Sequence, residues 1–458
     1  MGFAHAGVRR AAAPEGAGVS ASYAASLSML IVCMSVFSAN IALPSIAADL
    51  GGSASAQQWV VTGYTLPFAA LLIASGGISD RIGARSTLLY ASLVYGLVSA
   101  ACPFAPSIEA LIGCQVILGS SGAFILPASM ALIGETYPAG RQRSHALMLW
   151  GIGGSSASAI GPVLGGALTQ LHWGFSFAIN APFCLAIAVL TVRAPKLAVD
   201  AEPAPLDVVG LVLGTAGLTA LVNGIVSLSD AAQLTNAALF CLAGCAVLVA
   251  FTLHERRASH PVLPLTFFSE QPTRMVLLSG FAMIFAWNGS VFASSQLLQG
   301  AGGLSSLESG FVFAPAAVSC MVGNVMGEKL AHARGTRSPL LLGGAILLAG
   351  YALLLLGYAA CRPLVLAFSM CLAGMGGAIV TPVLAALVLS CGGHGAGGAA
   401  SAAFNAMRQV GGTVGVAAYG AAVNASAAAA EGFFAVTAVS LLMLALMLRG
   451  FSHVRQVA

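Results

Sequence analysis

The feature that most constrains this chain is a series of fourteen apolar stretches separated by short polar breaks. Averaged over about nineteen residues, the hydropathy peaks near residues 36, 67, 96, 121, 157, 184, 217, 244, 285, 317, 350, 378, 413 and 440. A helix of about 20 apolar residues spans a bilayer and satisfies its own backbone hydrogen bonds. The sequence therefore predicts an all-α polytopic membrane protein with fourteen transmembrane helices.

The composition argues against the soluble alternatives. Apolar residues make up 58% of the 458 positions and charged residues only 7%, which is unlike a soluble domain. The net charge of +4 is small and scattered, so no nucleic-acid partner is expected. No catalytic cluster, metal-ligand spacing or phosphate loop accompanies the spans, and the ten cysteines are scattered. We therefore expect no cofactor, no metal and no enzyme activity.

The basic residues test the number of spans. With a cytoplasmic N-terminus, seventeen of the eighteen Lys and Arg residues fall at the cytoplasmic side, and Arg362 is left outside. A miscounted helix would move every later loop to the wrong side, so this distribution supports fourteen spans with both termini cytoplasmic. The expected location is the inner membrane of a bacterial-type cell, where the lipid bilayer surrounds a chain for which a monomer suffices.

A proline-rich segment from 193 to 207 divides the chain into two parts. The predicted organisation is a 6+2+6 arrangement: a cytoplasmic tail over 1–22, a six-helix bundle over 23–193, a linker with two extra spans over 194–257, a second six-helix bundle over 258–449 and a tail over 450–458. The bundles are expected to be pseudo-symmetric, as in carriers that alternate access to a midplane cavity.

A charged turn separates the second and third apolar stretches and contains Gly76, Asp80, Arg81, Gly83 and Arg85. Gly83 can adopt the positive φ that such a turn needs, Asp80 can face a helix N-terminus, and the arginines can stay with lipid phosphates. An ordinary cytoplasmic turn explains the residues equally well. The turn is repeated 252 residues later, where Gly335 aligns with Gly83, Arg337 with Arg85, and His332 with Asp80.

The spacing Gly-x-Ile-Ser-Asp-Arg-x-Gly-x-Arg of this turn resembles the loop motif between the second and third spans of the major facilitator superfamily of secondary transporters. The resemblance implies that Asp80 engages the end of a neighbouring helix and stabilises one access state. Ala84 departs from the motif, because the family usually carries a basic residue there.

The fifth apolar stretch presents one face of small residues, among them Gly153, Gly161, Pro162, Gly165 and Gly166. Such a face lets another helix approach closely, and Pro162 removes a backbone donor and favours a bend. Ordinary helix packing is one interpretation. The segment from Gly161 to Gly166 also resembles the fifth-span motif associated with exporters and antiporters of the superfamily.

Further segments, including Asn40 to Pro44 and Arg408 to Gly412, resemble the fourteen-span drug:proton antiporters. The resemblance implies an exporter of small amphipathic compounds or drugs that works by alternating access and is coupled to protons. Ser35 stands where this branch commonly carries an aspartate, and Gln115 where it carries an arginine. The residues expected to couple export to protons are therefore missing.

A proton-driven carrier needs a group that binds H⁺ within the membrane, usually a carboxylate whose pKa is raised by burial. None of the fourteen acidic residues falls at the centre of a predicted span. Asp207, near the inner end of the seventh span, and Glu308, near the outer end of the tenth, are the candidate proton sites. A solvated or capping acid is the alternative for each of them.

The polar side chains within the spans are candidates for the substrate cavity: Ser35, Asn40, Gln115, Asn288, Gln296, Asn405, Arg408 and Gln409. Arg408 is the deepest charge, and it either snorkels to the inner surface or pairs with a substrate anion or cavity carbonyls. Two other functions stay open. The acid-free cavity and Arg408 favour a facilitator or importer of a neutral or anionic metabolite, and a non-transporting membrane receptor or scaffold is the third hypothesis.

Overall fold

The structure is a computed structural model that describes residues 15–51, 54–196, 207–227, 234–258, 271–299, 306–359, 362–391, 397–424 and 429–452. These ranges contain fourteen α-helices of 14 residues or more, two single-turn segments and no β-strand. The predicted all-α fold is confirmed.

The first six long helices are α1 (Glu15–Leu50), α2 (Ala54–Ile82), α3 (Ala84–Ala101), α4 (Ile108–Thr136), α5 (Arg141–Leu171) and α6 (Asn180–Arg193). The single-turn segments are a 3₁₀ turn after α3 (Cys102–Phe104) and a helical turn before α6 (Phe175–Ala178). The next two helices are α7 (Val208–Ser227) and α8 (Leu234–Glu255). The last six are α9 (Gln271–Gln299), α10 (Ser306–Arg334), α11 (Arg337–Ala359), α12 (Pro363–Cys391), α13 (Gly397–Asn424) and α14 (Ala429–Ser452).

Both ends of the helical region extend past the predicted bundles. Helix α1 begins at Glu15, so the later part of the predicted tail over 1–22 is helical. An acidic first residue suits the positive end of a helix, and the residues that follow continue directly into the apolar stretch. Helix α14 likewise continues to Ser452, three residues beyond the predicted boundary at 449.

Ten helices of the described ranges are long and apolar enough to cross a membrane. The other four long helices are α2, α5, α10 and α13, which have 28 to 31 residues each. Helix α2 contributes only a shorter apolar stretch, Trp59–Leu72. Three of these helices carry polar residues within their length: His145 near the start of α5, Glu328 towards the end of α10 and Arg408 near the middle of α13. Their hydropathy is therefore lower although their length is sufficient.

The helices before and after the α7–α8 pair pack in the same pattern. Helix α1 packs against α4, α5 and α6, and α9 packs against α12, α13 and α14 in the same way. Likewise, α4 contacts α2 and α3, while α12 contacts α10 and α11. Each contact recurs eight helices later, which relates the first bundle (α1–α6) to the second bundle (α9–α14). The extra helices α7 and α8 pack against each other, and α7 also contacts α2 and α13.

Glycines allow the closest helix contact within each bundle. A Cβ atom on Gly153 of α5 would lie 2.1 Å from the backbone oxygen of Ser26 in α1. The equivalent pair in the second bundle, α13 and α9, is equally close, because a Cβ on Gly415 would lie 2.2 Å from the Phe285 oxygen. Any side chain at these positions would push the two helices apart.

Candidate functional site

Arginine side chains bond the carbonyl ends of helices at one end of the first bundle. Arg85, at the start of α3, donates to the oxygens of Thr191 (2.9 Å) and Val192 (2.6 Å) at the end of α6. Arg143, at the start of α5, donates to the oxygens of Gly134 and Tyr137, both at 2.9 Å. The last carbonyls of a helix lack intrahelical partners and carry the negative end of its dipole, so these bonds are favourable. We call this end of the molecule the basic end.

The charged segment from 76 to 85 lies at the basic end, but the predicted turn is confined to Gly83, because α2 continues to Ile82 and α3 begins at Ala84. Gly83 has φ 85° and Gly335, its counterpart between α10 and α11, has φ 76°, so both turns adopt the expected left-handed conformation. Arg85 bonds helix carbonyls, and the expected contact of the arginines with lipid phosphates stays a prediction. Gly76 is buried and Arg81 is partly exposed. The side chain of Asp80 lies outside the described residues, so its contact with a neighbouring helix stays a prediction.

One carboxylate connects the two bundles at the basic end. Glu328 Oε1 of α10 lies 3.2 Å from His145 Nδ1 of α5 and 3.4 Å from His332 Nε2 on its own helix. The Glu328 side chain is only 12% exposed. The turn that replaces Asp80 by His332 therefore retains an acidic partner, and this partner reaches the opposite bundle.

Two further hydrogen bonds join the bundles. Asn324 of α10 is buried, and its Nδ2 donates to Ser155 Oγ of α5 at 3.1 Å. Ser401 Oγ, near the start of α13, donates to the Pro127 oxygen of α4 at 3.1 Å. Together with the Glu328 contacts, these bonds join the bundles from the basic end towards the middle of the helices.

The small residues of α5 lie mostly inside the molecule. Gly153, Gly161 and Gly165 are buried, and Gly153 forms the close contact with α1. The helix continues without a break through Pro162. The surroundings of Pro162 and Gly166 lie outside the described side chains, so the expected bend and the exporter motif stay predictions.

Ser35 is buried inside the first bundle, and its place in a substrate cavity stays a prediction. Its hydroxyl is hydrogen-bonded to the Tyr95 hydroxyl of α3 and accepts from Asn180 Nδ2 of α6 at 3.2 Å. Tyr64 of α2 also donates to the Val32 oxygen of α1. Ser35 is 5% exposed. Its hydrogen bonds to Tyr95 and Asn180 satisfy the hydroxyl, as a buried polar group requires. Its role here is to join α1, α3 and α6.

The other candidate cavity residues differ in their exposure. Gln115 of α4 is 1% exposed, and its Nε2 has no described hydrogen-bond partner. Asn288 of α9 is exposed and lies beside Gly412 of α13. Gln409 is partly exposed. The side chains of Asn40 and Gln296 lie outside the described residues.

Arg408 lies at the contact between the two bundles. Its guanidinium carbon is 6.0 Å from the ring centre of Trp150 in α5 and 5.6 Å from that of Phe404 in α13. Its Nη1 donates to Asn405 Oδ1 at 3.3 Å. The Trp150 ring is itself fixed, because its Nε1 donates to Ser129 Oγ of α4 at 3.1 Å. Aromatic faces attract cations, so the two rings hold the guanidinium without neutralising its charge.

Asp207, one of the two candidate proton sites, caps the start of α7. Its Oδ1 accepts from the Gly210 N–H at 2.8 Å, and His254 Nε2 of α8 lies 2.9 Å from both carboxylate oxygens. Desolvation opposes ionisation, but these hydrogen bonds outweigh it and hold the pKa of Asp207 below its ordinary value. The carboxylate is thus ionised at neutral pH. The side chain of Glu308 lies outside the described residues.

Sequence reasoning missed Asn324 and the stacking of Trp150 on Arg408. A signal existed for Asn324, because an amide in an apolar helix usually bonds across to a neighbour. No comparable signal identified the Trp150 stacking, since the pairing of α5 with α13 depends on how the bundles meet.

Two pseudo-symmetric helix bundles that meet around a central charge define a multi-pass membrane protein of the secondary-transporter class. The chain belongs to the Major Facilitator Superfamily, whose family model matches residues 25–416. This is a family of transporters and not of enzymes.

Relatives of the chain include efflux and resistance proteins. The multidrug efflux pump LfrA of Mycolicibacterium smegmatis is 34% identical over 67% of this chain, a match that spans 61% of LfrA. The methylenomycin A resistance protein of Streptomyces coelicolor is 30% identical over 92% of this chain and 88% of that protein.

Solved structures show the same fold. The human organic anion transporter MFSD10 has a TM-score of 0.67 at 17% identity and covers 94% of this chain and 99% of its own. The proton:xylose symporter XylE has a TM-score of 0.66 at 14% identity, covering 96% and 97%. At these identities the similarity concerns the fold alone.

Proposed function

We propose that the protein is a secondary-active exporter of small amphipathic compounds or drugs that works by alternating access. The observation that carries this proposal is the match, over 92% of this chain, to an antibiotic resistance protein of the same superfamily. Two features of the structure are compatible with alternating access. Two bundles repeat each other's packing, and buried or partly buried polar contacts join them at the basic end, where they can break and re-form as the bundles rock.

We also propose that all fourteen long helices cross the membrane, as in the fourteen-span drug:proton antiporter branch. The four less apolar helices support this proposal, because α2 packs against α13 and α5 against α10. Their polar faces therefore meet protein instead of lipid, which explains their lower hydropathy. The proposed organisation keeps the bundles at 23–193 and 258–449, the extra pair within 194–257 and both termini in the cytoplasm.

Reporter fusions test the fourteen crossings. Fusions after residues 139, 196 and 335 are expected on the cytoplasmic side, and fusions after 106, 172 and 362 outside. A reporter on the opposite side at any of these positions would contradict the proposed topology without affecting family membership.

A susceptibility screen tests the export function. Cells lacking their own efflux pumps would express the protein and be challenged with a broad panel of toxic compounds. We expect the inhibitory concentration to rise at least fourfold for some compounds. Gly153→Leu should abolish this resistance because the side chain would displace α1 from α5. Gly113→Leu is the matched control, since nothing lies within 4 Å of a Cβ at Gly113. Equal resistance in cells with and without the protein would contradict the proposal.

Proton coupling through Asp207 or Glu308 is an alternative to export without a coupling ion, and it stays a prediction. The lowered pKa of Asp207 argues against that residue. Substrate-induced proton flux in liposomes measures proton coupling, with Asp207→Asn and Glu308→Gln as the test variants. A robust flux that neither variant changes would exclude both residues as proton sites.

A further inference from the structure

Arg408 is a positive charge far from either helix end. It lies eleven residues after Gly397, the first residue of α13, which is about 16 Å along the helix axis. Trp150 is nine residues beyond the start of α5. The stem of Arg408 has space because α9 carries a glycine beside it, and a Cβ on Gly280 would lie 3.2 Å from Arg408 Cγ. The arginine therefore packs at the junction of α5, α9 and α13 and does not snorkel away from it.

The described surroundings of Arg408 provide no negative charge. Besides α13, the helices whose side chains contact Arg408 or come close to it are α1, which carries Cys33 within electrostatic range, α5 and α9. Helices α2 and α4 also pack against α13, and their acidic residues lie near the helix ends, at Asp80, Glu109 and Glu135. The sequences of α5, α9 and α13 contain no Asp or Glu, and those of α1 lie at its two ends, Glu15 and Asp49. The absence of acids from α5, α9 and α13 is a property of their sequences and does not depend on the side-chain conformations.

The hydrogen-bonding capacity of the guanidinium is also largely unused by described residues. A guanidinium has five N–H donors, and the bond to Asn405 Oδ1 is the one described for Arg408. The ion-pair contacts of His145, His172, His254 and His332 do not reach Arg408. Charges inside a membrane protein normally pair or line a substrate pathway. Among the described side chains, Arg408 has no acid with which to pair.

We infer that Arg408, held between Trp150 and Phe404, binds the acidic group of an amphipathic organic anion, and that the membrane potential drives the export of this anion. The inference rests on the proposed function and specifies its substrate class and driving force. Arg408 is partly exposed, and its guanidinium binds the carboxylate or sulfonate by charge-assisted hydrogen bonds. The rings of Trp150 and Phe404 are buried and hold the guanidinium in place.

This inference also explains why the central helices lack a proton-binding carboxylate. A cell interior is electrically negative, so the potential itself pushes an anion outwards. An exporter of cations works against the potential and needs a coupling ion, whereas an exporter of anions does not. The neutral residues Ser35 and Gln115 are then compatible with active export.

Purified full-length protein in liposomes tests the inference with two probes. Dansylate, an aromatic sulfonate that stays anionic at all working pH values, is the anion, and ethidium is the cation. A potassium gradient with valinomycin makes the vesicle interior positive. We expect dansylate to accumulate at least tenfold above protein-free vesicles, with no effect of an imposed pH gradient and no accumulation of ethidium.

Variants assign the flux to Arg408. Arg408→Gln should reduce dansylate accumulation at least tenfold, and Arg408→Lys should retain a substantial part of it because the charge is kept. Arg257→Gln, which removes an exposed charge after α8, should leave it unchanged. If Arg408→Gln fails to fold, the native protein still tests the inference, because it must accumulate dansylate and not ethidium.

The outcomes separate this inference from the proposed function. Exchange of ethidium against a pH gradient, without dansylate movement, would overturn the anion inference and leave the exporter intact. Undiminished dansylate flux in Arg408→Gln would overturn the role of Arg408. Movement of neither probe, together with no gain of resistance in cells, would contradict both the inference and the proposed function.

Discussion

The protein treats charge differently at its basic end and at its centre. At the basic end, Arg85 bonds helix carbonyls, Glu328 lies between two histidines, and Asp207 contacts His254. At the centre, Arg408 has two aromatic faces and one amide oxygen. The charged side chains at the basic end that connect helices therefore have compensating partners among the described residues. The charge without such a partner is the one available to a substrate.

An acidic residue placed beside Arg408 should remove this difference between the central region and the basic end. We expect this substitution to have the largest effect on transport. Cys33→Asp places a carboxylate within electrostatic range of Arg408. The new ion pair should reduce dansylate accumulation in liposomes at least tenfold, which corresponds to about 1.4 kcal/mol. Cys33→Asn is the matched control, because it has the same shape without the charge and should keep most of the transport. Equal transport by the two variants would show that the charge of Arg408 does not bind the anion.

Removing a compensating charge at the basic end should have a smaller effect. Glu328→Gln abolishes the charged contact between α10 and α5, whose histidine partner His145 is largely exposed to solvent. Contacts of this kind contribute about 0–1 kcal/mol, so we expect closure at the basic end to weaken at most about fivefold.

Hydrogen exchange of the first three turns of α5 measures this closure. Exchange should quicken in Glu328→Gln and stay unchanged in Lys329→Gln, which removes an exposed neighbouring charge. Faster exchange in the lysine variant as well would mean that the helix end responds to net charge and not to the specific contact.

The third prediction concerns the stability of the extra helix pair. Asp207→Ala removes both the cap of α7 and the contact with His254, and should lower the free energy of unfolding by about 1 kcal/mol at pH 7. Asp207→Asn keeps an oxygen that can cap the helix, so its effect should be smaller. Thermal unfolding of the purified variants measures both effects.

The pH dependence of this effect has a defined sign. Hydrogen bonds lower the pKa of Asp207 in the folded protein, so the stabilisation by its charge is fully present above the ordinary pKa of aspartate, about 3.9. It is lost as the pH falls through the lower value of the folded state. The difference between the native protein and Asp207→Ala should therefore shrink in strongly acidic solution. A difference that grows on acidification would contradict the role assigned to the carboxylate.

Much of the fold could be predicted from the sequence because hydropathy and turn chemistry are local properties. The fourteen apolar stretches correspond to fourteen long helices, and the left-handed glycine at Gly83 recurs at Gly335. Helix α1 begins at Glu15, before the predicted boundary at 23. Glu15 suits the positive end of a helix, and the residues after it continue directly into the apolar stretch, but a hydropathy window measures neither feature.

The site was harder to predict because it depends on which helices meet. The sequence predicts Ser35 as a cavity residue but does not identify its hydrogen-bond partners, Tyr95 and Asn180, which lie on other helices of the first bundle. Arg85 bonds carbonyls of a helix more than a hundred residues away. The depth of Arg408 could be read from the sequence, whereas the ring of Trp150 beside it depends on the packing of α5 against the second bundle.

Direct binding of an anion beside Trp150 tests the central claim most directly. Trp59, Trp173 and Trp287 are replaced by phenylalanine, so that Trp150 is the remaining tryptophan, and its energy transfer to added dansylate is followed in the purified protein. We predict a saturable transfer that ethidium does not compete away, with binding at least tenfold weaker after Arg408→Gln and largely preserved after Arg408→Lys. Transfer of the same affinity in the Arg408→Gln protein would contradict the claim that this arginine binds the substrate.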